Sequence, residues 1–392
     1  MTDYIDATES ARRLGVSRQT LYAYVSRGLI KAVPGDDPRQ SRYLAAAVDQ
    51  LAESRRRGRK PKEIAKATLD WGMPVLESGL TLIEAGQCYY RGRNAVDLAR
   101  TASLEDAAAL LWQIPKARAF PSRAPDHLKA YAGLLEKAGH SRPSDTLLPL
   151  FAVAAHDEAT SAWRTGPAPL ARGCGDLLRI LTATALRQAP KSAPVHQQLA
   201  TAWGVDRAGA GLIRQALVLC ADHELNASGF TARCVASTGA SLKASVLAAL
   251  AALSGVRHGA MTMRIEHLWD SMDGRDFNRE LKTRLDAGED IPGFGHPLYP
   301  DGDIRAKALL AEILPEFAAA AQFAGAAKQL TGKEPSIDFA LVALRRYLAL
   351  PEGSAFLIFA IGRCVGWIAH GLEQRATDQL IRPRALYTGL RP

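Results

Sequence analysis

Beyond Lys66 the chain is a succession of helix-favouring stretches broken by glycine and proline, with no alternation of strand and helix. A parallel sheet needs that alternation, so the pattern leaves helix packed on helix as the architecture. Leu104 to Trp112 sets Leu104, Ala107, Ala108 and Leu111 at helical spacing, with Ser103 as N-cap and Glu105-Asp106 in the first turn. Ala208–Cys220, Ser241–Leu253, Ile304–Leu314 and Ala355–Ala369 read as helices in the same way. The one β element expected is Cys88-Tyr89-Tyr90-Arg91-Gly92-Arg93. With 392 residues the chain can bury a sizeable core in two or three domains, and the expectation is a mainly α protein.

The bulk composition, 47% hydrophobic and 23% charged, is that of an ordinary globular protein. Five cysteines share no CxxC or metal spacing, and their odd number predicts free thiols in a reducing compartment. No charged-then-apolar leader opens the chain and no uncharged stretch reaches 18 apolar residues, which predicts a cytoplasmic protein that does not enter a membrane.

The net charge of +9 is unevenly placed: about two thirds of the excess lies in residues 1–66. That asymmetry marks the N-terminal segment as a unit with its own partner. Thr8 to Leu14 reads as a short helix capped by Thr8 and ended by Gly15; Ser17 caps a second helix, Arg18 to Val25. Leu21 and Val25 then pack inward beside Ala11 and Leu14, while Arg18, Gln19 and Tyr22 project outward. This is helix-turn-helix spacing. Ser26–Ile30 and Arg42-Tyr43 form the arms of a wing hairpin across Gly35–Pro38. The string Leu14-Gly15-Val16-Ser17-Arg18-Gln19-Thr20-Leu21-Tyr22 resembles the winged helix-turn-helix of MerR and excisionase-type domains. That resemblance implies double-stranded DNA as partner, met by Arg18, Gln19, Tyr22 and Arg42 over a domain at 1–54. Residues 55–67, with Arg55-Arg56-Arg57-Gly58-Arg59-Lys60, form a basic linker able to meet phosphates. Solvated linkers are also basic, and small helix-turn-helix folds also dock proteins.

Four short segments carry the chemistry: Asp222–Ser228, Arg257-His258-Gly259, Gly293-Phe294-Gly295-His296 and Pro335-Ser336-Ile337-Asp338. Taking a proton from the carbon beside a thioester carbonyl needs a base at the carbon and a donor at the oxygen, because the enolate is otherwise too unstable to form at neutral pH. A carboxylate serves as the base and a histidine N–H as the donor. A second histidine can protonate the carbonyl of the electrophile, and arginine forks suit the carboxylates of an α-keto diacid. Three histidines with an aspartate also raise a metal site, but no pair shows i, i+4 or HExxH spacing, so no metal is expected.

These segments, followed by Phe359–Arg363, Gly366–Gln374 and Ile381–Arg384, resemble the citrate synthase family in order and interval. The resemblance spans about residues 68–392 and implies a helical two-domain fold, with a small domain at approximately 225–335 inserted in a large one. It implies that His223 binds oxaloacetate, that His258 holds the thioester carbonyl, and that His296 binds and protonates the oxaloacetate carbonyl. Asp338 is then the base, Arg305, Arg363 and Arg382 hold substrate carboxylates, and Gly293 and Gly295 approach coenzyme A. Acetyl-CoA is a substrate, and no cofactor is implied. In the family the last arginine reaches across a dimer interface, so a homodimer with Arg382 in the partner's site is expected. The chain departs from the family pattern at Ala260-Met261-Thr262 after His258-Gly259, and at Pro297 and Pro300, the latter where many relatives carry a basic residue.

The expected activity condenses acetyl-CoA with oxaloacetate and hydrolyses the adduct to citrate; propionyl-CoA would give 2-methylcitrate. The competing reading is a DNA-binding regulator that uses a citrate synthase-like body as a metabolite sensor. Intact Asp338, His258 and His296 weigh against it, since a sensor has no use for a base poised for carbon-acid chemistry. His127, His140, His156, His196, His267 and His370 are read as structural.

Overall fold

The computed structural model describes residues 4–26, 30, 32–34, 41–58, 76–138, 141–161, 166–272, 274–385 and 387–390. They contain nineteen α-helices and two small antiparallel sheets, a mainly α structure. The chain divides into two compact units, residues 1–77 with 384–392, and residues 78–383.

In the first unit Ala7–Leu14 and Arg18–Ser26 are the two helices of the helix-turn-helix, separated by Gly15 at φ 62°. The cap of the first helix is Asp6, whose carboxylate accepts from Glu9 N at 2.8 Å, and not Thr8. Asp6 ends a strand, so it already has the extended backbone a cap requires, whereas Thr8 lies inside the first turn. Ser17 does cap the second helix, its hydroxyl accepting from Thr20 N. Leu21, Ala11 and Leu14 are buried with Ile30, Tyr43 and Val48, and Val25 packs at their margin. The sheet has three strands, Tyr4–Asp6, Ser41–Leu44 and Ala32–Pro34, with Ser41–Leu44 in the middle. The wing's first arm is therefore Ala32–Pro34 and not Ser26–Ile30. The helix runs on to Ser26 and Ile30 enters the core, so pairing begins later, with Pro34 tolerated on an edge strand. The wing tip 35–38 and linker residues 59–67 lie outside the described residues. Arg55-Arg56-Arg57-Gly58 belong to the helix Ala45–Gly58.

The second unit opens with strands Thr81–Glu84, Gln87–Tyr90 and Arg93–Asn94, joined by two-residue turns Ala85-Gly86 and Arg91-Gly92 with positive φ throughout. Such turns match the strand twist and close tight hairpins. The hairpin read at Cys88–Arg93 is present, with Thr81–Glu84 as an additional strand. Helices follow. Ser103 caps Leu104–Trp112 in a reciprocal capping box with Asp106. Asp206 caps Arg207–Leu219, Ser241 caps Leu242–Leu253, and Asp303 caps Ile304–Ile313.

At the centre lies Ser354–Thr377, buried on every side from Ser354 to Gly371 and apolar there apart from Ser354, Arg363 and His370. By length and composition it could cross a membrane, yet 94% of its most apolar window is enclosed by the other helices. It runs further than the Ala355–Ala369 expected, because polar Glu373 and Gln374 face Arg233 instead of ending the helix. Gly366 lets the segment before His223 approach: a Cβ there would stand 2.3 Å from Asp222 Oδ1. The five cysteines are free thiols.

Candidate active site

Two loops distant in sequence are joined by backbone hydrogen bonds. Gly295 N donates to Glu334 O and Ser336 N donates to Gly293 O, each at 2.8 Å, around a bridge between Phe294 and Pro335. Gly293 has φ +88°, and a Cβ there would meet Ile265 Cδ1 at 2.5 Å, so both backbone shape and close packing exclude a side chain. This pairing sets His296 and Asp338 on the wall of one cavity of about 490 Å³, lined also by Gly293, Gly295, Met261 and Lys333.

Asp338 sits in the first turn of the helix Ile337–Tyr347, just after its N-cap Ser336. One carboxyl oxygen, Oδ2, accepts from Ser336 Oγ at 3.3 Å. The other, Oδ1, is buried with no hydrogen-bond partner among the described residues. Burial raises this carboxyl to about 6, against the pull of the Arg305 guanidinium. A carboxylate with a raised proton affinity and an uncommitted oxygen at a cavity wall is equipped to act as a base near neutral pH.

The three histidines converge on this region. His223 and His296 lie edge to face with ring centroids 5.1 Å apart. Burial, with Arg305 and Arg363 nearby, holds His223 well below the usual histidine range. The same causes, burial first, bring His296 to about 4, and burial with Arg363 brings His258 to about 4. All three rings are therefore neutral at pH 7. His296 Nδ1 accepts from Leu298 N at 3.2 Å, which places its proton on Nε2 and makes that atom a donor. His258 Nε2 meets Ser228 Oγ at 2.8 Å, and the same hydroxyl accepts from Trp367 Nε1 at 3.0 Å.

His223 precedes Glu224, which is held at φ 50°, a left-handed backbone uncommon for a non-glycine residue. The turn is fastened from several sides. Asn226 Nδ2 donates to His223 O, Tyr90 Oη donates to Asp222 O, and His370 Nε2 lies 3.2 Å from Glu224 O. His370 also stands 3.3 Å from Asp222 Oδ1, both groups fully buried. His370 thus supports the turn from beneath.

The arginines differ in commitment. Arg305 gives a bidentate pair to Asp303, Nε to Oδ1 at 2.9 Å and Nη2 to Oδ2 at 2.8 Å, both residues buried. Burial alone would raise the Asp303 carboxyl, but Arg305 holds it below the ordinary range. Oδ2 of Asp303 also accepts from Ile337 N, fastening the helix that carries Asp338. Arg363 donates Nε to Cys220 O at 2.9 Å and lies over the Phe359 ring. Arg382 is exposed and is not among the residues lining the cavity. Of the residues singled out in sequence, the fold brings together His223, His258, His296, Asp338, Arg305, Arg363, Gly293 and Gly295. Sequence reading gave no role to Tyr299, Asp303, Ser228 or Trp367, the last two within segments it singled out, and these residues hold the site groups in place. Tyr299 and Asp303 lie inside the interval between His296 and Arg305, the one local sign of their involvement.

Residues 68–384 match the family described as citrate synthase, C-terminal domain. The chain belongs to the citrate synthase family. This citrate synthase-type enzyme is 32% identical over 359 residues to the citrate synthase of Haloferax volcanii, covering 81% of this chain and 94% of that one. It is also 34% identical to a 2-methylcitrate synthase of Shewanella oneidensis, over 45% of this chain and 50% of that one. In solved structures the same fold appears in citrate synthase from Thermotoga maritima, with TM-score 0.68, 23% identity and coverage of 82% of this chain and 95% of that one. A second match is the ternary complex of carboxymethyl coenzyme A and oxaloacetate with citrate synthase from Thermoplasma acidophilum. Its TM-score is 0.66 at 21% identity, over 82% of this chain and 95% of that one. Residues 4–56 of this citrate synthase family member match a helix-turn-helix domain family.

Proposed function

We propose that this enzyme condenses acetyl-CoA with oxaloacetate and hydrolyses the resulting thioester to citrate and coenzyme A. The observation that carries the reading is Asp338: a buried, uncommitted carboxyl oxygen on the wall of the cavity that His296 shares. Asp338 takes a proton from the methyl carbon while the electron pair moves to the thioester oxygen, held by an N–H of His258. Ser228, whose hydroxyl lies 2.8 Å from His258 Nε2 and donates to Asn226 Oδ1, fixes the orientation of that ring. The enolate carbon attacks the keto carbon of oxaloacetate, whose oxygen takes a proton from His296 Nε2. His223 binds the same electrophile, and Arg305, Arg363 and Arg382 hold its carboxylates. Water then releases coenzyme A.

Gly293 and Gly295 let the pantetheine arm of the thioester run close to the backbone of the cavity wall. Arg382, exposed in its own chain, completes the site of a second copy, so the working species is a homodimer. The small domain at approximately 225–335 closes over the substrates, and the protein works in the cytoplasm. Acetyl-CoA is the preferred donor and propionyl-CoA the weaker one. A relative matched over 94% of its own length and 81% of this chain is named a citrate synthase, while the 2-methylcitrate synthase is matched over 50% of its length and 45% of this chain. The test is oxaloacetate-dependent thiol release from each thioester, wild type against Asp338→Asn. Release lost in the variant and faster with acetyl-CoA is the expected result; no release from folded dimer with either thioester would overturn it.

The N-terminal unit supports a second activity, binding of double-stranded DNA. Arg18, Gln19 and Tyr22 are exposed on the second helix of a helix-turn-helix, and Arg42 is exposed on the neighbouring sheet. A helix presenting arginine, an amide and an aromatic phenol has the donors that major-groove edges accept. Titrating the full chain with genomic DNA fragments at 50 and 200 mM salt tests this. Affinity that falls steeply with salt supports it, and no binding at 50 mM rejects it.

A further inference from the structure

Tyr299 touches three of the groups assigned to the electrophile, and none of the motifs includes it. Only 1% of it is exposed. Its hydroxyl lies 3.0 Å from His223 Nε2, its ring centroid lies 5.1 Å from that of His296, and the Arg305 guanidinium stands over its face at 5.5 Å. The Cys88 thiol, brought up by the strand Gln87–Tyr90, lies beside the same hydroxyl.

We propose that Tyr299 is the positioning residue for His223: its hydroxyl donates to Nε2 and thereby holds the imidazole proton on Nδ1, so that Nδ1–H is the donor offered to the dianionic electrophile. The direction of the bond follows from the partners. The hydroxyl has one proton and two neighbours, an imidazole nitrogen, which accepts strongly, and a thiol sulfur, which accepts weakly. Giving the proton to Nε2 and accepting from the Cys88 S–H uses both contacts well. The reverse order wastes the phenolic proton on sulfur. His223 is kept neutral by burial and by Arg305 and Arg363, so it has only one proton to place. Without an anchor the ring can place that proton on either nitrogen or turn over, and part of the population then faces the substrate with a lone pair. The Tyr299 ring also braces His296, so one side chain sets the relative placement of both histidines.

This inference rests on the assignment of His223 to the electrophile, and the experiment separates the two. Oxaloacetate affinity is measured by calorimetry on the full-length dimer for wild type, Tyr299→Phe, Tyr299→Leu and His223→Gln, with the KM for acetyl-CoA measured beside it. Tyr299→Phe keeps the ring and removes only the hydroxyl, so it should weaken oxaloacetate about three- to tenfold, the range of one neutral hydrogen bond. The KM for acetyl-CoA should stay unchanged. The imidazole ¹⁵N spectrum should show His223 with Nε2 unprotonated in wild type and averaged between tautomers in the variant. Wild-type oxaloacetate affinity in Tyr299→Phe alongside a loss in Tyr299→Leu would mean that the ring only packs, and would overturn the proposal. Equal weakening of both substrates, with lowered thermal stability, would also overturn it. If His223→Gln leaves oxaloacetate affinity intact, the electrophile assignment fails first and the proposal with it.

Discussion

Replacing Asp338 by asparagine should destroy turnover and stabilise the protein at the same time. The ordinary carboxyl value of 3.8 is raised here to about 6 by burial, with one oxygen unpartnered. The folded state therefore binds this proton more tightly than the unfolded chain does. Well below pH 4 the group is protonated in both states and costs nothing; from about pH 4 to 6 the unfolded chain ionises while the folded state keeps its proton, and the cost grows until the folded carboxyl ionises at about 6. The cost reaches about 3 kcal/mol at pH 8, since each pH unit between the two values is worth about 1.4 kcal/mol. Asparagine never ionises and escapes that cost. Calorimetry should find Asp338→Asn a few degrees more stable than wild type at pH 8, with the difference shrinking to about a third of that at pH 4.5. Thiol release should fall by about 10²- to 10⁴-fold or more, the usual contribution of a positioned base. In wild type the pH profile of kcat/KM should drop about tenfold from pH 7 to pH 5, as the base is protonated. Two results would refute this reasoning: turnover in the variant within tenfold of wild type, or a lower melting temperature at pH 8. The first removes Asp338 as base, and the second removes burial as the cause of its raised value.

Ser228→Ala should remove the hydroxyl that joins His258 to Trp367, lowering kcat about tenfold while oxaloacetate affinity is kept; an unchanged kcat would mean that His258 is oriented by packing alone. Gly293→Ala should cost about 2 kcal/mol or more, because it forces a left-handed backbone on alanine and a contact with Ile265, and a melting temperature equal to wild type would count against that strain. Arg363→Lys keeps the charge but loses the planar fork, so the KM for oxaloacetate should rise about tenfold with the KM for acetyl-CoA unaffected. Arg18→Ala should weaken duplex DNA binding without changing thiol release, and loss of both together would disprove separate roles for the two units.

Within the catalytic unit, the local rules of helix formation were legible in the letters. Ser103 before Leu104 announced a helix start that the structure has there, and the helix read from Ser241 begins one residue later with Ser241 as its cap. The chemical inventory was legible too: an aspartate, three histidines and the arginines stand beside glycines and prolines that only a site with close backbone approach would retain. In the N-terminal unit the buried face of Ala11, Leu14 and Leu21 followed from spacing of three to seven residues. The strand that joins the wing did not, because its start depends on where Ile30 finds a core.

What the letters determined, then, was whatever depends on neighbours within about two turns: where helices begin, which face is apolar, and which reactive groups are available. Only the tertiary structure decided which of those groups meet. Asp338 gains its high proton affinity from the packing that buries it, and nothing in Pro335–Asp338 encodes that burial locally. The union of the Gly293 and Pro335 loops, the seat of Ser228 between His258 and Trp367, and the contact of Tyr299 with His223 join residues that are 30 to 139 positions apart. Such contacts form only when many helices pack at once. Helical periodicity specifies a face to bury but leaves open its partner, and the partner fixes the dielectric, the hydrogen bonds and hence the chemistry of each site residue.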